Sequence, residues 1–377
     1  MTTTFTSTTN GNINDGGTYG NTSPGVAGTD FPDSDDICVA GGSTTITLNV
    51  DYEVRALKIT GTIAGGGNTI TVNGATSNKP FDNDGTITGD LNVTITNTGI
   101  QQDGLLLDAM GTSGNINNLT LNLANGTTAN KTVGIASSTT IDNTLTITSG
   151  TFDTVFDGGA SQGLSVGGAT TIENNGTLKC NNSTVDLTGG NVTGSGTGTL
   201  ALDTCTLTAG NLYPKKITAD AASVTCSDYF GVSTNTDLTV SSGSALAVIC
   251  RRLQLNSVTA TSPNWSVTFV GDLASRTIKL GSGELHDVTL NMTDDATDIQ
   301  HLGQNTTIGG NLTITSGVLD TNENSGDNFS LTVTGGVSGA GTLTTNASEV
   351  SFGYLTMTGT YNATTNANGT ILTDRSG

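Results

Sequence analysis

The chain has 377 residues, of which 12% are charged and 4% aromatic, with 52 glycines and a net charge of −20 from 32 acidic and 12 basic side chains. That balance argues against nucleic-acid binding, which needs clustered Lys and Arg to neutralise phosphates, and against an anionic membrane surface. No run approaches the roughly 18 apolar residues of a membrane-spanning helix, so no membrane insertion is expected. Five prolines and a persistent apolar alternation favour ordered β-structure over disorder.

Residues 1–30 are rich in Thr, Gly and Asn and read as an extended N-terminal arm or attachment segment. The opening Met1-Thr2-Thr3-Thr4-Phe5 has neither the basic region nor the apolar stretch of a secretory signal. The low Lys and Glu content nevertheless suits an extracellular surface. A chain made without an export signal but surfaced for the outside is expected to be a virion component released by lysis. An extracellular or cell-surface location is the alternative.

Alternation begins at Asp30-Phe31-Pro32-Asp33-Ser34-Asp35-Asp36-Ile37-Cys38-Val39, where Ile37 and Val39 mark a short strand. Ile46, Leu48 and Val50 are expected on one face of the next. The carboxylates of Asp33, Asp35 and Asp36 are weak calcium candidates, because they lack the ligand spacing of a dedicated calcium loop. Beyond calcium, no cofactor or metal is expected.

Strands follow at 54–59, 69–72, 91–95, 105–107, 119–123, 164–166, 185–187, 200–202, 267–270, 278–280 and 288–290, each ending near a turn residue. No amphipathic helix is expected, since turn residues interrupt every window long enough to hold one. One unit recurs: Leu145-Thr146-Ile147-Thr148-Ser149-Gly150, Leu238-Thr239-Val240-Ser241-Ser242-Gly243 and Leu312-Thr313-Ile314-Thr315-Ser316-Gly317, with looser copies from Leu331 and Leu355. Period 2 puts Leu and Ile on one face and the β-branched Thr on the other.

Two all-β architectures fit: a right-handed parallel β-helix, or tandem β-sandwiches built from antiparallel hairpins. The cysteines favour the first. Cys180, Cys205, Cys226 and Cys250 are 25, 21 and 24 residues apart, one rung of roughly 20–25 residues each time. They read as a buried structural ladder of small apolar thiols. Zinc would want pairs two to four residues apart, and an odd number of cysteines suits free thiols better than disulfides.

The chemistry of catalysis is thinly represented. His286 and His301 are the two histidines; beside His286, Glu284 shares its face on a strand while Asp287 points away. Asp294, Asp295 and Asp298 form a late acidic cluster that reads as turn residues. Arg251-Arg252 and Lys215-Lys216 are the basic pairs, and Trp265 is expected to pack at a rung corner or subunit contact, with a sugar-stacking platform as the alternative. No catalytic residue and no enzymatic activity are expected.

The repeated Leu-Thr-Ile-Thr-Ser-Gly units and the Pro-x-x-Asp-Asp-strand-Gly-Gly-strand opening resemble parallel β-helix repeat proteins. These occur among bacteriophage tail fibres, tailspikes and capsid decorations, and among bacterial surface adhesins. The resemblance implies 31–368 as the repeat region, after the arm at 1–30 and before a C-terminal tail at 369–377. It implies a non-enzymatic virion structural protein, a fibre, spike or capsid decoration, with host-surface adhesion. The implied partners are further copies in a homo-oligomer, a trimer by preference, other virion proteins and a host-surface glycan. The alternatives are a bacterial adhesin or extracellular filament subunit, and a polysaccharide-degrading β-helix enzyme.

Overall fold

The computed structural model describes residues 2–363 except 74–79, 97–104, 109–113, 124–131, 156–158, 232–235, 242–244, 261–264, 272–275, 294–296 and 325. The expected tail at 369–377, together with Asp294 and Asp295, lies outside the described residues. The chain divides into two compact units, residues 1–201 and 202–377. Each is a stretch of parallel β-solenoid, an all-β structure whose one described helix is the 3₁₀ turn Gly16–Tyr19.

In the first unit, alternation and stacking act together. Ile70, Val93, Leu119 and Leu145 are successive register partners, at steps of 23, 26 and 26 residues, and all four are buried. One position later, Thr71, Thr94, Thr120, Thr146 and Thr171 form the adjoining column, half-buried on the opposite face. A second interior column runs through Phe5, Cys38, Leu57 and Phe81. Each apolar side chain therefore packs on the rungs above and below, and each Thr occupies a pleated outer surface that suits its branched Cβ.

The second unit repeats the device. Val224, Val248, Val267, Val288, Leu312, Val337 and Leu355 are consecutive partners. Their steps vary between 18 and 25 residues, so turn length changes from rung to rung while the interior register holds. Every named pairing in both units is parallel, for example Val267 with Val288 and Leu145 with Thr170. Tandem sandwiches would require antiparallel hairpins, so the β-helix alternative is the one realised.

Close rung-to-rung approach explains paired glycines. A Cβ on Gly189 would sit 2.1 Å from the Gly167 carbonyl carbon on the neighbouring rung. Only hydrogen fits between these two backbones.

Residues 2–36 build the first rung. Thr4–Thr6 pairs with Ile37–Ala40, and Gly11–Asn12 pairs with Thr45–Thr47. Phe5, Ile13 and Tyr19 are buried, with Phe5 and Tyr19 edge to face at 5.9 Å. Asp15 caps the 3₁₀ turn by accepting from the Gly17 amide at 2.9 Å. One outward residue departs from simple alternation. Val50 is 40% exposed while Ile46 and Leu48 are buried, because the strand ends at Thr47 and the period-2 rule lapses with it. At the other end, Val350–Met357 and Thr360–Ala363 are the last described strands, and Tyr354 and Leu355 are 55% and 36% exposed there.

Candidate ligand-binding face

The residues singled out from sequence occupy quite different settings. Cys180, Cys205, Cys226 and Cys250 are all buried and free. Cys226 is the register partner of Ala209, and Thr225 pairs with Ile249, which makes Cys226 and Cys250 neighbours one position on. Cys205 stands elsewhere: its carbonyl accepts from the Ser223 amide, level with the turn before that strand. The 21-residue interval from Cys205 to Cys226 thus differs from the 17-residue register step from Ala209 to Cys226. Burial pushes the Cys226 and Cys250 thiols up, with the neighbouring Cys226 adding to the effect on Cys250. Burial likewise pushes Cys38 up to about 12, opposed by a hydrogen bond from Tyr19. Thiols held protonated are poor nucleophiles and poor metal ligands.

Asp33, Asp35 and Asp36 tie down backbone. Asp36 is buried and accepts from the Thr3 amide at 2.8 Å and the Asp33 amide at 3.2 Å. Asp33 accepts from the Asp35 amide at 2.9 Å. Among the described residues no three His, Cys, Asp or Glu side chains converge as a metal site would require.

Asp287 does not point away from His286: its Oδ2 lies 3.0 Å from His286 Nδ1. Residue 286 precedes the strand Asp287–Met292, so strand alternation does not govern that pair. The other Asp287 oxygen accepts from the Asn311 amide at 2.8 Å. Trp265 is buried, with its indole N–H donating to the Glu284 carbonyl at 3.2 Å. Asp298 is buried as well.

A different group of side chains is assembled on one face of the second unit. Phe230, Leu253, Ile278 and Leu302 are buried and are successive partners. This inner column fixes what lies beside it. Tyr229 pairs with Arg252, Thr277 pairs with His301, and His301 pairs with Asp320. Leu253 pairs with Ile278, which puts Arg252 level with Thr277 and Arg251 level with Arg276. Arg276 in turn pairs with the buried Gln300.

The contacts are ionic and aromatic. Arg252 Nε lies 3.1 Å from Asp228 Oδ1. Its guanidinium carbon stands 4.5 Å from the Tyr229 ring centroid, a cation–π geometry, and the same guanidinium donates to the Tyr229 hydroxyl. Tyr213 lies against Tyr229, centroids 5.7 Å apart. Lys279 Nζ is 3.1 Å from Glu323 Oε2, and Thr277 donates to Glu323 Oε1 at 2.9 Å. Gln300 donates to the Arg251 carbonyl at 2.8 Å.

Arg252 and Arg276 lie within electrostatic reach of Asp228 and of Arg251, while Lys279 has Glu323. Burial pushes the Arg276 guanidinium below its usual range, and the neighbouring Arg252 and Arg251 add to this against Asp228 and Tyr229. Rungs about 4.8 Å apart lie well within a Debye length of about 8 Å, so these like charges act on one another. The face brings guanidinium, carboxylate and aromatic side chains together on an acidic chain.

Arg251-Arg252 was visible in the sequence as a basic pair; Tyr213, Tyr229, Arg276 and Lys279 were not. The signal was the rung interval already used for cysteine: Arg251 and Arg276 are 25 residues apart, and Arg276 and Gln300 are 24 apart. Lys215-Lys216 lies apart, with Lys216 paired to Asp237. No protein-family model, curated protein or solved structure matches the chain.

Proposed function

We propose that the chain is a non-enzymatic structural protein of a virion, a tail fibre, spike or capsid decoration, that meets a host surface through the Tyr229–Arg252 face. The observation that carries this reading is a contrast. Rung after rung presents Thr and Asn over an apolar interior, and one lateral patch gathers three Arg and two Tyr. A regular solenoid offers a stiff scaffold for display, and an aromatic patch with adjustable polar neighbours is what a recognition surface needs. Association as a trimer would cover the exposed Tyr354 and Leu355 of the last described strands. The same face also supports a second reading, a bacterial surface adhesin.

Gold-labelled antibody against this chain, applied to the producing culture and viewed by electron microscopy, tests the proposal. Label on phage particles is the expected result, and its position on head or tail separates decoration from fibre. Label confined to cell envelopes would overturn the virion assignment in favour of the adhesin.

A further inference from the structure

We propose that the free edge of the strand Thr4–Thr6 takes up an extended, uncharged segment of another protein as one additional β-strand. The site belongs to the first unit and is independent of the Tyr229–Arg252 face.

The strand pairs with Ile37–Ala40 along one edge. The Ile37 amide donates to the Thr3 carbonyl and the Ser7 amide to the Val39 carbonyl, each at 2.9 Å. In a parallel ladder every second residue turns both its backbone groups to the same neighbour. Phe5 therefore faces Ile37–Ala40, and the N–H and C=O groups of Thr4 and Thr6 face the opposite way. Among the described residues none bonds these four groups. A row of unpaired donors and acceptors of this kind is a template for a further strand.

The space beside the strand has the size of its missing neighbour. A cavity of about 470 Å³ is lined by residues 3–6 and by Tyr19, Asn21, Gly28 and Thr29. A three-residue strand, about 10 Å long, about 4.8 Å from its neighbour and about 10 Å through its side chains, occupies roughly 480 Å³. The loop wall is fixed in advance. The Asn21 amide donates to the Gly16 carbonyl at 2.8 Å, its side chain donates to the Asp30 carbonyl at 2.9 Å, and the Gly28 amide donates to the Phe31 carbonyl at 2.7 Å. Gly28 adopts a φ of +72°, and a Cβ there would sit 2.5 Å from Asp33 Oδ2, so this turn holds its shape only with glycine. A slot shaped before binding costs the complex less ordering.

The lining also selects the occupant. It carries no charged side chain, which suits an uncharged segment bound through its main chain. The strands that end the described solenoid, Val350–Met357 and Thr360–Ala363, are each bonded to a preceding strand and are too broad, with their rungs, for a slot one strand wide. A loose segment of another protein fits where a rung of a second copy does not.

Binding of fluorescent acetyl-Thr-Val-Thr-Val-Thr-amide to the full chain, followed by polarisation, tests this against the same peptide N-methylated at every amide. The unmethylated peptide should bind, and the methylated one should bind roughly tenfold or more weakly. Thr4→Pro and Thr6→Pro each delete one outward N–H and spare the bonds to Ile37–Ala40. Each should weaken the peptide roughly tenfold while the circular dichroism and melting of the chain stay as they were. Should a proline variant fail to fold, amide exchange of the parent chain followed by nuclear magnetic resonance takes its place: the peptide should slow exchange at Thr4 and Thr6, whereas Phe5 is protected with or without it. Absence of peptide binding at millimolar concentration would overturn the inference, as would binding indifferent to N-methylation or to both proline substitutions. Self-association of the chain alone that Thr6→Pro abolishes would make a second copy the occupant and overturn the assignment to another protein.

Discussion

Cys226→Asp unfolds the second unit at markedly lower denaturant, with a loss of about 3–5 kcal/mol, whereas Thr225→Asp one residue earlier changes stability by no more than about 0.5 kcal/mol. The two positions differ in direction. Cys226 is 2% exposed, and burial has already pushed even its thiol toward the neutral form. A carboxyl there must be desolvated beside Ala209 on one rung and Cys250 on the next, with no compensating charge on the strand. Thr225 is exposed and its replacement stays in water. Solenoid stability is approximately a sum over neighbouring rungs, so damage at one rung weakens two interfaces. Urea unfolding followed by far-ultraviolet circular dichroism measures both variants. Equal midpoints would mean that the interior column has been placed wrongly.

Trp265→Ala should cost about 3–5 kcal/mol, and Trp265→Phe about 1–2 kcal/mol. The indole is among the largest fully buried side chains and is 1% exposed. Its removal leaves a cavity that stacked rungs cannot close without shifting their ladders. It also removes the donor to the Glu284 carbonyl. Phenylalanine keeps most of the volume and loses the hydrogen bond. Urea unfolding of the two variants measures both losses; equal midpoints for Trp265→Ala and the parent chain would contradict an interior Trp265.

The repeating fold was legible because its cause is local. Leu-Thr-Ile-Thr alternation states which side of a strand is apolar, and columns such as Ile70 to Leu145 beside Thr71 to Thr171 follow from it. Alternation is silent on strand direction, since parallel and antiparallel ladders share period 2; the long intervals between cysteines supplied that information. Intervals in turn are silent on turn length. Cys205 and Cys226 are one rung apart by count, yet Cys226 is level with Ala209, because the connection between them is short. Val50 and the His286–Asp287 pair misled for a related reason: Val50 and His286 lie just outside a strand, where side-chain direction is set by the turn. The Tyr229–Arg252 face was hidden because its members come from separate rungs. Tyr229, Arg252, Thr277 and His301 become neighbours only through the register that Phe230, Leu253, Ile278 and Leu302 impose from within. A functional patch on a solenoid is written down the column, whereas a sequence is read along the rung.

That register is open to direct measurement. Thr225, Ile249 and Thr268 are consecutive partners on neighbouring strands; Thr225 and Ile249 are exposed and Thr268 is half-buried. The native cysteines are buried, so nitroxide labels on Thr225→Cys, Ile249→Cys and Thr268→Cys report these positions. Three labels stacked at about 4.8 Å per rung should give a strongly exchange-narrowed electron paramagnetic resonance spectrum in the triple variant, and dipolar broadening in the Thr225→Cys/Ile249→Cys pair. Spectra equal to the sum of the single labels would contradict parallel in-register stacking, and with it the column that assembles the Tyr229–Arg252 face.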